Sequence, residues 1–152
     1  MIGEYVCKLD EKGRLSLPSR LRAQFPESAG NTLVINRGFE KCLVLYTRED
    51  WLKESSRLND VDDFLSPEIR RFKRVFTNGA NLVQIDGAQR ILIPKKLSEY
   101  AELQDEVVLS AIGSKVEIWS RSHYDLELSV GSDELSRLAQ NFYKSTGDRK
   151  DN

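Results

Sequence analysis

Residues 8–18 of the chain read KLDEKGRLSLP, and the expected fold follows from their pattern. A related stretch, QIDGAQRILIP, returns at residues 84–94. At a constant offset, the matching pairs are Asp10 and Asp86, Arg14 and Arg90, Leu15 and Ile91, Leu17 and Ile93, and Pro18 and Pro94. The same local pattern therefore occurs twice in this chain of 152 residues.

Each copy has the pattern of a β-hairpin that leads into a helix. An alternating apolar and polar run is followed by a turn with Asp and Gly, a second alternating run, a Pro and a short amphipathic segment, and a period of two is typical of strands. The short side chains of Asp10 and Asp86 can accept hydrogen bonds from the backbone N–H groups of their turns. Gly13 and Gly87 are predicted to supply the positive φ of a tight turn. These four residues are therefore predicted to be structural.

The cations at the first turn are not required by turn chemistry. Lys12 and Arg14 follow Asp10 closely in the sequence. One interpretation is a solvated ion pair between Arg14 and Asp10, worth about 0–1 kcal/mol when exposed. The other is a binding role, because an exposed guanidinium on a rigid hairpin suits a phosphate group or the edge of a guanine base.

The two Asp-x-x-x-Arg motifs, Asp10 to Arg14 and Asp86 to Arg90, resemble those of the MraZ family of bacterial DNA-binding regulators. The resemblance covers roughly residues 1–125 and implies two AbrB-like swapped-hairpin halves in one chain. Two copies separated by a domain length are much more specific than one. The family usually has Gly immediately before the second Arg, where this chain has Gln89, so we expect the second turn to differ in shape.

The resemblance also implies a function. It implies sequence-specific binding to double-stranded promoter DNA by a regulator, expected to be a repressor, of the division and cell-wall gene cluster that includes its own gene. The subunits are expected to close into an octamer-like ring that acts at the nucleoid. Base reading is expected from Arg14, and phosphate contact from its neighbours. The expected DNA-binding residues are Arg14, Lys12, Lys8, Arg20, Arg22 and Arg90.

Composition predicts a folded protein without a resident cofactor. Hydrophobic residues make up 39% of the chain, which is enough for a real core. No apolar run approaches membrane length and the first residues lack signal-peptide features, so we expect no membrane association and a cytoplasmic location. Cys7 and Cys42 lie in strand-like apolar runs, have no second Cys or His at ligand spacing and are predicted to be free, buried thiols. We expect no metal, no cofactor and no small-molecule substrate.

The formal net charge of −1 hides a segregation of charge along the chain. Residues 8–22 contain five cations and two acids, and residues 68–76 contain four cations and one acid. Residues 47–66 and 95–106 carry the compensating acidic excess. Counterion release depends on the charges that face phosphate, so a bipolar molecule can bind DNA with one face if its basic groups converge.

The expected fold class is α+β, a tandem AbrB-like swapped-hairpin barrel of the double-psi type with a C-terminal helix. Its predicted segments are a first repeat at 1–58, a linker and helix at 59–79, a second repeat at 80–128 and a helix with a disordered tail at 129–152. In the last segment, apolar spacing predicts a helix that ends near Tyr143, and polar composition predicts disorder from Ser145.

The linker helix has a strong start signal at Ser66 and Pro67. It has an apolar stripe that is predicted to face the core, formed by Ile69, Phe72, Val75 and Phe76. Its cations are predicted to form a solvated face or a subunit contact with the acidic segment, in preference to direct DNA contact; they are Arg70, Arg71, Lys73 and Arg74.

The sequence leaves two other classes of function to consider. A carboxylate dyad of the acid-protease type would need Asp10 and Asp86 in one dry cleft, whereas each lies on a turn that is followed by an Arg. Gly-rich phosphate loops and nucleophile elbows are absent from the sequence, so an enzyme is not expected. A self-assembling scaffold without DNA binding stays open, and a salt series of DNA affinity would separate it from a DNA binder.

Overall fold

The computed structural model describes residues 1–150, with side chains described as far as residue 147. The strands are β1 Glu4–Lys8, β2 Arg14–Ser16, β3 Thr32–Arg37, β4 Leu43–Thr47, β5 Asn81–Gln84, β6 Arg90–Leu92, β7 Glu106–Ile112 and β8 Lys115–Ser120. The α-helices are α1 Ser19–Arg22, α2 Arg48–Ser56, α3 Pro67–Gly79, α4 Lys95–Tyr100, α5 Arg121–Glu127 and α6 Ser132–Lys150. Short 3-10 turns occupy Glu27–Ala29 and Arg57–Asp60. None of the described helices has the length and apolar character that a membrane span requires.

Two compact units divide the chain, one of residues 1–121 and one that begins at Ser122. All eight of the strands above belong to the first unit. They form an antiparallel six-stranded sheet in the order β1-β7-β8-β4-β3-β5 and a separate two-stranded ribbon of β2 and β6. The first repeat supplies β1 to β4 and the second supplies β5 to β8, so both layers contain strands from both repeats.

The hairpins are swapped between the repeats. Strand β1 of the first repeat pairs with β7 of the second, with Tyr5 opposite Leu109. Strand β5 of the second repeat pairs with β3 of the first, with Val83 opposite Leu33. Each repeat therefore completes the sheet of the other, as the resemblance implies.

One hydrophobic core lies between the sheet and the ribbon. Leu15 and Ile91 of the ribbon belong to the same buried cluster as Leu33 and Leu109 of the sheet, and all four side chains are fully buried. Burial of one such side chain contributes roughly 1.5–3 kcal/mol. Because each repeat contributes to both layers, the core is complete only when both repeats are present.

A smaller cluster covers the other face of the sheet. Val34, Val44 and Tyr46 are buried there, with Trp51 of α2 packed against them. The Thr47 hydroxyl caps α2 by accepting the Asp50 amide at 3.1 Å. Helix α2 therefore lies on the side of the sheet opposite the ribbon.

Helix α3 has the predicted start but only part of the predicted packing. The Ser66 hydroxyl accepts the Ile69 amide at 3.2 Å, which confirms the cap. Phe76 is buried, whereas Phe72 and Val75 remain nearly half exposed. Phe72 stacks on Phe76 with ring centroids 5.5 Å apart. The apolar stripe therefore extends beyond the part of α3 that the core covers.

Two of the α3 cations hold the preceding acidic segment of the same chain. Arg70 donates to the carbonyl oxygens of Asp63 and Phe64 at 2.7 and 2.9 Å. The Lys73 ammonium lies 3.1 Å from an Asp63 carboxylate oxygen. These contacts lie within one chain, and the predicted subunit contact of this helix with the acidic segment stays a prediction.

The predicted α+β fold with two repeats and a C-terminal helix is confirmed. Among the described residues, the backbone ladders form a sheet and a ribbon rather than a closed ring of strands, and a single bridge between Leu9 and Leu15 joins β1 to β2. Helix α6 runs to Lys150, because a helix that has started extends at little cost per residue. Disorder from Ser145 is therefore a wrong prediction as far as residue 150, and residues 151 and 152 lie outside the described part.

Candidate nucleic-acid interface

The first turn is organised by one carboxylate. Asp10 Oδ1 accepts the backbone N–H groups of Lys12 and Arg14, both at 2.9 Å. Asp10 Oδ2 accepts Arg14 Nε at 2.7 Å. The Asp10 carbonyl accepts the Gly13 amide at 3.0 Å, and Gly13 has a positive φ of 81°. The carboxylate thus shapes the turn and orients the guanidinium with the same two oxygens.

The second turn has the same hydrogen bonds. Asp86 Oδ1 accepts the backbone N–H groups of Ala88 and Arg90, both at 2.9 Å, and Oδ2 accepts Arg90 Nε at 3.0 Å. Gln89 takes the place of Gly13, with a positive φ of 61°. The expectation of a differently shaped second turn is therefore wrong, because the bonds to Asp86 hold Gln89 in the left-handed region.

The role predicted for Gly87 is also wrong. The residues with positive φ include Gln89 but not Gly87. The Asp86 side chain accepts hydrogen bonds from the backbone amides two and four residues later. This pattern puts the left-handed residue at the fourth position of the turn, which is Gln89. A side chain in that region costs roughly 1–2 kcal/mol, so the second turn is strained where the first is not.

Both carboxylates are stabilised in their charged form. The hydrogen bond from the Arg14 amide, followed by those from the Arg14 side chain and the Lys12 amide, lowers the pKa of Asp10 below 3.8. The hydrogen bond from the Arg90 amide, followed by those from the Ala88 amide and the Arg90 side chain, lowers the pKa of Asp86 below 3.8. At neutral pH each Arg therefore faces an ionised partner.

The ribbon presents both arginines on one face. In the β2–β6 register, Arg14 lies opposite Leu92 and Ser16 lies opposite Arg90. Leu15 and Ile91, between them, point into the core. Arg14 and Arg90 are thus diagonal neighbours on the outer face, with Cα atoms about 7–8 Å apart.

The guanidinium groups keep free donors on this face. The side chains of Arg14 and Arg90 are 31% and 33% exposed. Each donates Nε to its Asp, and within the described chain neither donates from its terminal nitrogens. Those nitrogens are suitably placed for a phosphate oxygen or a base edge.

The swap places each turn beside the other repeat. The Ile93 amide donates to the Gly13 carbonyl, and the Leu17 amide donates to the Gln89 carbonyl, both at 2.9 Å. Helix α4, which follows Ile93, therefore begins beside the first turn. Helix α1, with Arg20 near its start, begins beside the second turn.

The remaining predicted residues differ in their availability. Lys12 and Lys8 are exposed, and Lys8 lies opposite Glu106 across the β1–β7 pair. Arg22 is engaged within the fold, because its Nη2 donates to the Gly30 carbonyl at 2.7 Å and its guanidinium lies over the Phe25 ring. Of these three, Arg22 has the least freedom to contact a ligand.

Sequence reasoning missed Lys95 and Lys96. Both are exposed at the start of α4, and Lys95 lines a cleft of about 610 Å³ together with Lys12, Leu82 and Leu92. They fall in residues 95–106, a segment with an acidic excess, so the local net charge did not indicate a DNA-binding role. The repeat offset aligns Lys96 with Arg20, and that alignment was the available signal.

One group of possible metal ligands lies away from the ribbon. Ligand atoms of Glu40, Cys42 and Glu117 lie within 4.8 Å of one another. Glu117 Oε1 already accepts the Trp119 indole N–H at 3.1 Å. The set does not match the Cys and His ligands of structural zinc sites, and it gives no support for a metal centre. Within the described residues, Cys7 and Cys42 form no disulfide; Cys42 is buried as predicted, whereas Cys7 is only half-buried.

Comparison with known proteins gives a consistent result. The model of the family described as "MraZ protein, putative antitoxin-like" matches residues 1–75 and 76–139. A protein of Cytophaga hutchinsonii is 38% identical over 144 residues, which cover 95% of both chains. One of Christiangramia forsetii is 39% identical over 141 residues, 92% of this chain and 90% of the relative. One of Moorella thermoacetica is 37% identical over 139 residues, 91% and 94% of the two chains. All three relatives are named "Transcriptional regulator MraZ".

The positive φ of Gly13 in the first turn and of Gln89 in the second predicts opposite effects of two substitutions on stability. Gly13→Ala should lower the free energy of unfolding by about 1–2 kcal/mol, since it puts a Cβ at positive φ. The new Cβ would meet its nearest neighbour, the Ile93 carbonyl oxygen, at 3.6 Å, so no clash adds to this cost. Gln89→Gly should raise the free energy of unfolding by about 0.5–1 kcal/mol, the relief of strain being partly offset by backbone entropy. Urea titration at one protein concentration measures both changes.

Gly87→Ala is the matched control for this pair. A Cβ at Gly87 meets no heavy atom within 4 Å, and φ there is not positive. This variant should be neutral or more stable by about 0.4–1 kcal/mol. A destabilised Gly87→Ala protein together with an unchanged Gly13→Ala protein would contradict the assignment of the left-handed positions.

The hydrogen bonds to the two carboxylates predict their titration. NMR titration should give midpoints below 3.8 for Asp10 and Asp86, and the Arg14 and Arg90 amide signals should move with the same midpoints. Because the pKa of each group is lowered by folding, its contribution to stability is complete above pH 3.8 and is lost as the pH falls through the folded pKa. Asp10→Asn should remove the transition at Arg14 and leave the one at Arg90. Midpoints that are not below the ordinary value would contradict the role of these bonds.

Proposed function

Because the chain belongs to the MraZ family, we propose that it is a transcription regulator that binds double-stranded promoter DNA through the outer face of the β2–β6 ribbon. The observation that carries this proposal is the pair of arginines, Arg14 and Arg90, which two matching turns hold on one face with their terminal nitrogens free. Each Arg is oriented by a carboxylate, so little side-chain entropy is lost when it binds.

The charges near the ribbon support a polyanionic partner. Arg14, Lys12 and Lys95 lie at or beside the first turn, and Arg90 and Arg20 at or beside the second. Of the three acids in the motifs, Asp10 and Asp86 are engaged with the turn amides and the arginines, and Glu11 is exposed. A local excess of cations favours DNA although the chain as a whole is close to neutral.

We propose further that the subunits assemble into an octamer-like ring that reads short direct repeats in a promoter. A single ribbon has a small contact surface, and neighbouring subunits on adjacent sites gain affinity through effective concentration. Exposed apolar side chains on α3 and α6 offer surfaces for such assembly; they include Phe72, Val75, Leu135, Leu138 and Phe142.

Regulation follows from occupancy of the promoter. A ring seated on repeats upstream of its own gene would exclude polymerase and so repress the division and cell-wall gene cluster. The protein would then act in the cytoplasm, at the nucleoid.

The geometry gives less support to the other two classes of function. Asp10 and Asp86 belong to separate turns, and each accepts hydrogen bonds from its own Arg, which is not the arrangement of a shared-proton dyad. A scaffold without DNA binding would have no use for free guanidinium nitrogens on a ribbon. It is distinguished by the absence of salt-sensitive DNA affinity.

The DNA upstream of the gene is the first ligand to test. Gel shift and footprinting with the full chain should show protection of short repeats, with an affinity that falls steeply as salt rises. Arg14→Ala should cost about 1–3 kcal/mol of specific binding per contacted site, because it removes a charged donor from the base or phosphate. Fluorescence anisotropy with the same fragment measures the loss.

Two further variants make this test specific. Arg14→Lys keeps the charge but loses the planar donor set, so it should retain non-specific binding and lose sequence preference. Arg48→Ala, on α2 at the opposite side of the sheet, should bind as the wild type does. Equal promoter affinity of the wild type and the Arg14→Ala protein would remove Arg14 from the site.

The C-terminal helix predicts an effect on assembly. Deletion of residues 132–152 should leave the first unit folded by circular dichroism but change the oligomeric mass or the solubility, because α6 carries an apolar stripe that includes Leu135, Leu138 and Phe142. Light scattering after gel filtration measures the mass. In the full chain, Leu138→Ser should act in the same direction and Gln140→Ser should have no effect. Unchanged mass and solubility after truncation would contradict a role for α6.

A further inference from the structure

A cation-lined surface extends from the first turn into the second repeat. The cleft between Lys12 and Lys95 is also lined by Leu82 and Leu92, and both leucines are mostly exposed. A neighbouring cleft of about 480 Å³ is lined by Lys95, Lys96 and Arg37, with Asn78 and Asn81 among its other residues. Lys95 belongs to both clefts, so the two form one continuous surface.

The lysines on this surface are available to a ligand. Lys12, Lys95 and Lys96 are exposed, and within the described residues none of them donates a side-chain hydrogen bond or forms an ion pair. Glu11 and Glu99 are the acids nearest to them in the sequence. Among the described residues, no Asp or Glu lines either cleft, so the charged residues that line both clefts are cations.

The two turns are alike in geometry and unlike in charge. The repeat offset aligns Lys12 with Ala88 and Lys95 with Ser19. Lys12 and Lys95, which lie at or beside the first turn, therefore both have a neutral counterpart at or beside the second turn. Lys96 alone of the three lysines has a cationic counterpart, Arg20.

We propose that Lys95 and Lys96 of the second repeat bind DNA phosphates together with Lys12 and Arg14 of the first, so that the first turn is the principal DNA contact of each subunit. This proposal rests on the proposed function as a DNA binder. The hairpin swap makes the contact composite, because the bond from Ile93 to Gly13 fixes α4 beside the first turn. Phosphates are the suitable partner for lysines, which carry a compact charge without a planar donor pattern.

The salt dependence of binding tests the proposal directly. The full-length Lys95→Gln/Lys96→Gln protein is titrated with the promoter fragment and with a scrambled fragment of equal length over a salt series. The slope of log affinity against log salt should become shallower by about 0.9 for each phosphate that the variant no longer neutralises, hence by about 1.8 for each subunit that contacts the DNA. The decrease should be the same for both fragments, since phosphate contacts carry no sequence information.

The matched control is Arg48→Gln/Lys53→Gln on α2, which removes the same charge from the opposite side of the sheet. Its slope should equal that of the wild type, and circular dichroism should show that all variants are folded. If the wild type binds with a steep slope and the Lys95→Gln/Lys96→Gln protein has the same slope, the composite contact is overturned while the proposed function stands. If the wild type shows no salt-sensitive binding to either fragment, the proposed function fails and the composite contact fails with it.

A gain of binding gives an independent test. Ser19→Lys/Ala88→Lys gives the second turn the cations that the first turn has at the aligned positions. Both residues are exposed, and Ala88 serves its turn only through its backbone amide. The slope should become steeper by up to about 1.8 for each subunit that contacts the DNA. An unchanged slope would show that the second turn does not reach DNA, which agrees with the first turn as the principal contact. An unchanged slope in the Lys95→Gln/Lys96→Gln protein as well would overturn the assignment of Lys95.

Discussion

Two carboxylates, each of which accepts three hydrogen bonds, determine the geometry of the two turns and, through them, of the fold. Asp10 and Asp86 each bind two backbone amides and one guanidinium Nε. These bonds end one strand, start the next and fix the direction of an Arg. Because the strands of each hairpin then pair with strands of the other repeat, the turn geometry determines both how the core closes and where the cations lie.

Much of this could be predicted from local sequence. The alternating runs, the duplicated Asp and Arg, and the cap at Ser66 all act over a few residues, so their structural meaning is contained in short stretches. The helix after each Pro and the strands on both sides of each turn follow from the same signals. The swap itself came from the resemblance, since no local pattern specifies which copy of a repeated strand pairs with which.

The remaining features depend on geometry that spacing does not reveal. Gly87 suggested the left-handed position of the second turn because Gly is the usual residue there, yet the two amides that Asp86 binds put that position at Gln89. The partly exposed Phe72 reflects how much of α3 the core can cover. Lys95 could not be placed at the first turn by its own neighbours in the sequence, because a bond between repeats brings it there.

The fold separates the scaffold of the site from its charge. Each turn is held by backbone amides and by the Asp and Arg side chains, so the residue two places after the Asp contributes only its amide and can be Lys12 in one copy and Ala88 in the other. Likewise, the residue after each Pro begins a helix whether it is Lys95 or Ser19. Two turns with the same shape can therefore carry different charges at no cost to the fold. Since affinity for DNA follows local charge, a pseudo-symmetric ribbon can bind DNA asymmetrically.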